Sequence, residues 1–262
     1  MLAILKSATD DCVQYREVLY HLLARDIKIK YKHTFLGYFW SLLNPIFQIL
    51  VLSLVFSHLV KWNMKDYTMY LFSGLIAWMF FQTSANMAAL SFIENANFIK
   101  KIYLPKLLFP IAKVVFRLID FIFSVFALTL VAAVAGYHLP PTMVFLPAAM
   151  VVFFVFTLGV SIFLSVAAVY FRDVLHLQTV LFQLVYFATP IIYPLNTLPP
   201  KYQYWMSFNP LYVQIRLFQG LISEGVVPPP SQWLAATGTA LLALGFGLWL
   251  LDVVDEELVF RL

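Results

Sequence analysis

The chain has 262 residues, of which 62% are hydrophobic, 18% aromatic and only 11% charged. A soluble domain carries about 25% charged residues, so this composition excludes a water-soluble globular protein. The net charge is +4, and the one cysteine, Cys12, excludes an intrachain disulfide or a cysteine-held metal.

At about 20 residues per membrane span, the length accommodates six helices and no separate soluble domain. The N-terminal residues include Asp10, Asp11, Arg16 and Glu17 where a cleavable signal peptide needs its apolar run, so the first span is expected to do the targeting. Residues 11–32 place Val18, Leu19, Leu22 and Leu23 at helical spacing, with Arg16, Glu17, Arg25 and Lys28 elsewhere. That is the pattern of a helix lying in the inner interface.

Apolar runs bounded by charge, Pro or Gly then predict spans at 35–60, 67–92, 107–137, 142–171, 174–193 and 233–251. Between the second and third lies a polar loop, 94–105 (ENANFIKKIYLP), long enough for a helix of two turns. The third span starts with Lys113, Arg117 and Asp120 at steps of four and three, one helical face that should meet protein or water instead of lipid. Beyond the fifth span, Trp205, Phe208, Leu211, Tyr212, Leu217, Phe218 and Leu221 are interrupted by Asn209 and Pro210. A proline in mid-run breaks a helix, so two short amphipathic helices are predicted at 200–224, dipping into the membrane and returning. The expected fold class is an all-α integral membrane protein, a single transmembrane domain over 1–262.

Orientation follows from the basic residues of the short connections. With the N-terminus inside, the inner segments hold Lys6, Arg16, Arg25, Lys28, Lys30, Lys32, Lys100, Lys101, Lys106, Arg172 and Arg261, and the outer ones only Lys61, Lys65, Lys201 and Arg216. Both termini are therefore expected in the cytoplasm, which an even number of spans requires.

The motifs of several chemistries are missing. None of the glycines is followed by Lys, so there is no phosphate-cradling G-x-x-x-x-G-K-[ST] loop, and any ATP must be hydrolysed by another chain. The five histidines are scattered singly, without the spacing of a metal site or the paired carboxylates of general acid–base catalysis. Asp26 and Asp173, next to Arg25 and Arg172, read as local charge pairs. The spans otherwise lack the mid-membrane ionisable groups that coupled carriers use.

Residues 25–45 read RDIKIKYKHTFLGYFWSLLNP: Arg25 and Asp26, the basic run Lys28 and Lys30 with Tyr31, then Leu36, Gly37, Tyr38, Phe39, Trp40 and Pro45. In order there follow the loop at 94–101, YFRD at 170–173, TPIIYPLNTLP at 189–199 and NPL at 209–211. Together these resemble the membrane subunit of ABC transporters that export polysaccharides such as O-antigen, capsule or teichoic acid, over nearly the whole chain. The acidic tail, Asp252, Asp255, Glu256 and Glu257, departs from the basic residues expected at an inner helix end.

The resemblance implies a homodimer in the bacterial inner membrane resting on two copies of a separate ATP-binding subunit. This chain would hold no cofactor, ATP and Mg belonging to that partner. It implies a coupling helix at Asn97, Phe98, Ile99, Lys100 and Lys101, and an outer gate at 200–224 including Trp205, Phe208, Asn209 and Pro210. The substrate would be a lipid-linked polysaccharide, most readily O-antigen; nucleic acid is not an expected partner. A path for sugars needs aromatic faces and uncharged hydroxyls or amides. Gln178, Phe182, Tyr186, Thr189 and Tyr193 on the fifth span and Trp40, Ser41, Asn44 and Gln48 on the first form such stripes. Hydrogen bonding between helices accounts for the amides as well as a channel does. An exporter of a small lipid or drug, and a membrane-embedded glycan-transferring enzyme, are the competing functions; the enzyme would need a carboxylate and a basic phosphate site that the sequence does not offer.

Overall fold

A computed structural model describes residues 10–32, 34, 37, 39–59 and 64–262, with 52–59 and 64–66 described as backbone only. Among the described residues there is no strand. The helices are α1 (Arg16–Tyr31), α2 (Phe39–Leu59), α3 (Met64–Ala89), α4 (Ser91–Glu94), α5 (Ala96–Lys101), α6 (Leu108–Val134), α7 (Leu146–Tyr170), α8 (Val174–Ala188), α9 (Pro200–Met206), α10 (Pro210–Gln219) and α11 (Pro230–Arg261). Leu108–Val134, Pro141–Tyr170 and Pro230–Arg261 are long and apolar enough to cross a membrane. Residues 35, 36, 38 and 60 of the first predicted span, and Lys6 and Lys61 of the orientation count, lie outside the described set.

Local chemistry fixes where the helices stop. α6 ends at Val134 instead of 137 because Gly136 takes φ +74°. There Tyr137 N–H donates to the carbonyl of Ala132 and Gly136 N–H to that of Ala133, the paired bonds of a Schellman cap. α8 ends at Ala188, five residues before the predicted end. Thr189 precedes Pro190, and steric conflict with the proline ring drives it to the extended backbone observed, φ −90° and ψ 135°. With 15 residues, α8 is only about 22 Å long.

The last helix departs in the other direction. Predicted to stop at Leu251, it continues as 32 residues to Arg261, about 48 Å at 1.5 Å per residue. Hydropathy falls at Asp252, but no Gly or Pro follows to break the helix. The tail is also tied down: Lys106 Nζ lies 2.8 Å from Asp255 Oδ1 and donates to the Asp255 carbonyl, and Leu258 packs with Ile99.

The core is built on close backbone contact and rings. A Cβ on Gly159 would lie 2.3 Å from the Ala243 backbone, and one on Gly247 would lie 2.5 Å from the Gly159 carbonyl. Only glycine permits α7 and α11 to approach so far, and in lipid such packing has to supply what hydrophobicity supplies in water. Phe80 and Phe121 stack at 4.7 Å, with Phe153 and Phe218 edge-on or tilted beside them.

The two short helices predicted at 200–224 are present, broken at Asn209–Pro210, but they are not alike. α10 is buried over Leu211 to Ile215 and Leu217 to Gln219, leaving Pro210 and, in part, Arg216 exposed. Gln214 donates to the Ala236 carbonyl and Thr239, and Gln219 to the Pro190 carbonyl. α9 is the reverse, with Tyr202, Tyr204 and Trp205 exposed.

Candidate functional site

Three regions collect the chemistry-bearing residues. The first is an open groove of about 810 Å³ between α2, α3 and α8. Gln48 comes from α2, Trp78 and Gln82 from α3, and Thr179, Gln183 and Tyr186 from α8; Phe47, Val51, Leu75, Met79 and Phe187 complete the walls. Trp78 and Gln82 are four residues apart and so share a face, where the indole N–H donates to the Gln82 amide oxygen at 3.1 Å. Tyr186 lies against Trp78 at 5.3 Å between ring centroids. The surface offers the exposed rings of Phe47 and Phe187 and the exposed amides of Gln48 and Gln183, with Tyr186 and Gln82 half-buried and Trp78 buried behind them, and no ionisable acid or base lines it except the Tyr186 phenol. Such a surface contacts the apolar and hydroxylated sides of a polar neutral ligand without fixing it through charge.

Next to it lies a smaller cavity of about 220 Å³ whose polar lining is Trp40, Ser41, Asn44, Gln48, Thr83 and Ser124 together with the charged Lys30, Arg117 and Asp120. Of the predicted first-span stripe, Trp40, Asn44 and Gln48 are exposed to these spaces. Ser41 is buried and committed: it donates to Asp120 Oδ1 at 2.9 Å, accepts from Lys30 and bonds the Tyr31 hydroxyl.

The fifth-span stripe is divided in the same way. Tyr186 faces the groove, while Phe182 is buried edge-on against Trp78 and Phe81 and Gln178 is buried. Thr189 is fully buried, donating to the Val185 carbonyl and accepting from Asn209 Nδ2. Tyr193 donates to the Phe187 carbonyl and is half-buried. Trp78, Gln82 and Gln183 were absent from the predicted path set; the i, i+4 repeat of Trp78 and Gln82 on one face of α3 was the signal that could have added them.

The second region is the charged end of the bundle. Lys113 Nζ sits 3.0 Å from both Asp26 Oδ2 on α1 and Glu94 Oε2 on α4. Arg25 donates to Asn95 Oδ1 at 2.9 Å and to Asp26 Oδ1 at 3.2 Å, and Asn95 donates to the Ser91 carbonyl. Asp120 receives Lys30 at 2.5 Å and Arg117 at 3.0 Å. The Lys113, Arg117 and Asp120 face thus meets α1, which packs on α6 instead of lying free. The reading of Asp26 as a pair with adjacent Arg25 is incomplete, since its closer partner is Lys113. Beyond this cluster, α5 exposes Asn97, Phe98, Lys100 and Lys101 and anchors itself through buried Ile99. Burial, and then Asp11 beside it, raise the Cys12 thiol above its ordinary pKa.

The third region is the turn at the far end of the bundle. Tyr67 donates to the Ile192 carbonyl and Tyr70 to those of Pro190 and Tyr193. Asn209 caps α10, its Oδ1 accepting from the N–H groups of Leu211 and Tyr212, and Pro210 occupies the first helical position, where its missing N–H costs nothing. Trp205 and Phe208 are exposed, each within one ring contact of Tyr204. Among the described residues no cluster of side chains suits a metal ion.

The profile of the ABC-2 type transporter family matches residues 17–222. The chain is 32% identical over 235 residues to the O-antigen export system permease protein RfbA of Myxococcus xanthus, covering 87% of this chain and 90% of that protein. It is 28% identical over 214 residues to the protein of the same name from Klebsiella pneumoniae, covering 80% and 82%. To the polysialic acid transport protein KpsM of Escherichia coli it is 24% identical over 237 residues, covering 87% and 90%.

Proposed function

Because the chain belongs to the ABC-2 type transporter family, we propose that it is the membrane subunit of an exporter of a lipid-linked polysaccharide, O-antigen being the first candidate. Two copies enclose the path, and each rests on one copy of a separate ATPase that holds ATP and Mg. α2, α3, α6, α7, α8 and α11 make six spans with both termini in the cytoplasm of a bacterial cell. α8 reaches the outer face through the turn at 189–193.

The observation that carries this reading is the groove of Gln48, Trp78, Gln82, Gln183 and Tyr186 in a chain without a nucleotide-binding loop. A glycan has to slide, so its path must contact many sugar types weakly. Rings and amides do this, whereas fixed charges bind tightly. On this reading α5 receives the ATPase through Asn97, Phe98, Lys100 and Lys101, and the exposed helix α9 with Trp205 and Phe208 gates the outer side, hinged at Asn209 and Pro210.

The test is to purify the tagged chain together with its ATPase and to measure surface glycan in cells that carry Gln48→Leu with Gln183→Leu. Both side chains are exposed, so assembly should survive. Export is expected to fall several-fold with the complex intact; an unchanged rate removes the groove from the path, and failure to co-purify any ATPase removes the transporter reading.

A further inference from the structure

Only Asn95 separates Glu94, the last residue of α4, from α5, and both residues are bound to α1 or through Lys113 to it. Lys113 is 6% exposed and stands 3.0 Å from one carboxylate on each side, Asp26 of α1 and Glu94 of α4. Asn95, itself 1% exposed, accepts from Arg25 of α1 at 2.9 Å. One turn further along α1, Lys30 reaches Asp120 of α6 and Ser41 in the first turn of α2, and Tyr31 reaches Ser41 as well. Lys113 and Asp120 belong to α6, so these contacts run from Asn95, the residue before α5, through α1, braced on α6, to the beginning of α2.

We propose that Lys113 is a positioning residue that makes α1 a lever, so that displacement of α5 is handed to the start of the first span. The inference rests on the transporter reading, since it assigns how motion at the ATPase reaches the path. Two features favour a lever over a simple fastening. Breaking a buried ion pair by removing one partner is costly because it leaves an uncompensated charge, so a moving α5 carries α1 along before it separates from it. Coulomb attraction also falls only slowly with distance, so the Asp26, Lys113 and Glu94 set tolerates a shift of the elements it joins.

The experiment measures ATP turnover of the purified complex of this chain with its ATPase, alongside surface glycan in cells of the native host. Lys113→Gln is expected to leave turnover near the wild-type value. Glycan export per ATP should fall by about 5-fold or more, the low end of the range for coupling between two sites. Lys113→Arg, which keeps the charge, should recover most of the loss. Should Lys113→Gln not assemble, Glu94→Gln serves instead: it removes one leg of the set at a half-exposed site, and export per ATP should fall there too. Unchanged export per ATP in the assembled Gln variants, or a parallel loss of turnover and export, overturns the lever. A wild-type complex that exports no glycan at all overturns the transporter reading instead, so the two failures are distinct.

Discussion

At the end of the bundle that carries α1 and α5, the elements are joined by ion pairs, Asp26 to Lys113, Lys113 to Glu94 and Lys30 to Asp120. At the other end of α3 the joints to the turn at 189–193 are neutral: Tyr67, Tyr70 and Gln219 donate to its carbonyls and Asn209 donates to Thr189, while the Arg216–Glu224 ion pair there stays within the 210–224 segment. A neutral hydrogen bond weakens steeply once its distance or angle departs from the optimum, whereas a charge pair keeps most of its attraction over a further ångström. The neutral end therefore holds one geometry or lets go, and the charged end can shift while staying joined. Charges are also affordable only near water or buried in a paired set.

Breaking the charged joint should cost most. Lys113→Ala leaves Asp26 buried without its nearest cation and should lose about 3–5 kcal/mol, read as a lower thermal midpoint of the detergent-solubilised protein. At the neutral end, Asn209→Ala removes the cap of α10 and the bond to Thr189, and should lose about 1 kcal/mol on the same assay. Smallest is Arg216→Ala. This residue forms a two-pronged pair with Glu224, but the side chains are 30% and 38% exposed, so solvent screening holds the loss to about 0–1 kcal/mol. A larger effect at Asn209 than at Lys113 would reverse the comparison, because it would make the neutral turn the stronger joint.

Much of this architecture was legible from the order of apolar and polar residues. Each predicted span overlaps an observed helix, three of these being long and apolar enough to cross a membrane, and a helix does begin at Pro210 within the 200–224 segment. Their ends were less legible because hydropathy reports what surrounds a helix and not how far it continues: α11 carries its acidic residues on for three further turns, while α8 is cut short by Pro190. Contacts between distant segments were not legible. Asp26 does pair with Arg25 beside it in the chain, but its nearest cation is the buried Lys113 of another helix, which nothing in the sequence places beside it. Periodicity likewise put Gln178, Phe182, Tyr186 and Thr189 on one stripe but could not say what covers it. The structure opens only part of that stripe to the groove, because α3 and α7 pack against α8 and Asn209 covers Thr189.

The central claim, that the amide and tyrosine surface between α2, α3 and α8 borders a watery path, is tested most directly by thiol accessibility in the assembled complex. In a Cys12→Ser background, Gln183→Cys and Leu184→Cys place thiols on adjacent exposed positions of α8, one lining the groove and one outside its walls. The account expects a membrane-impermeant maleimide to label position 183 and to spare position 184. Labelling at 184 with protection at 183 would turn the polar stripe toward lipid or protein and contradict it.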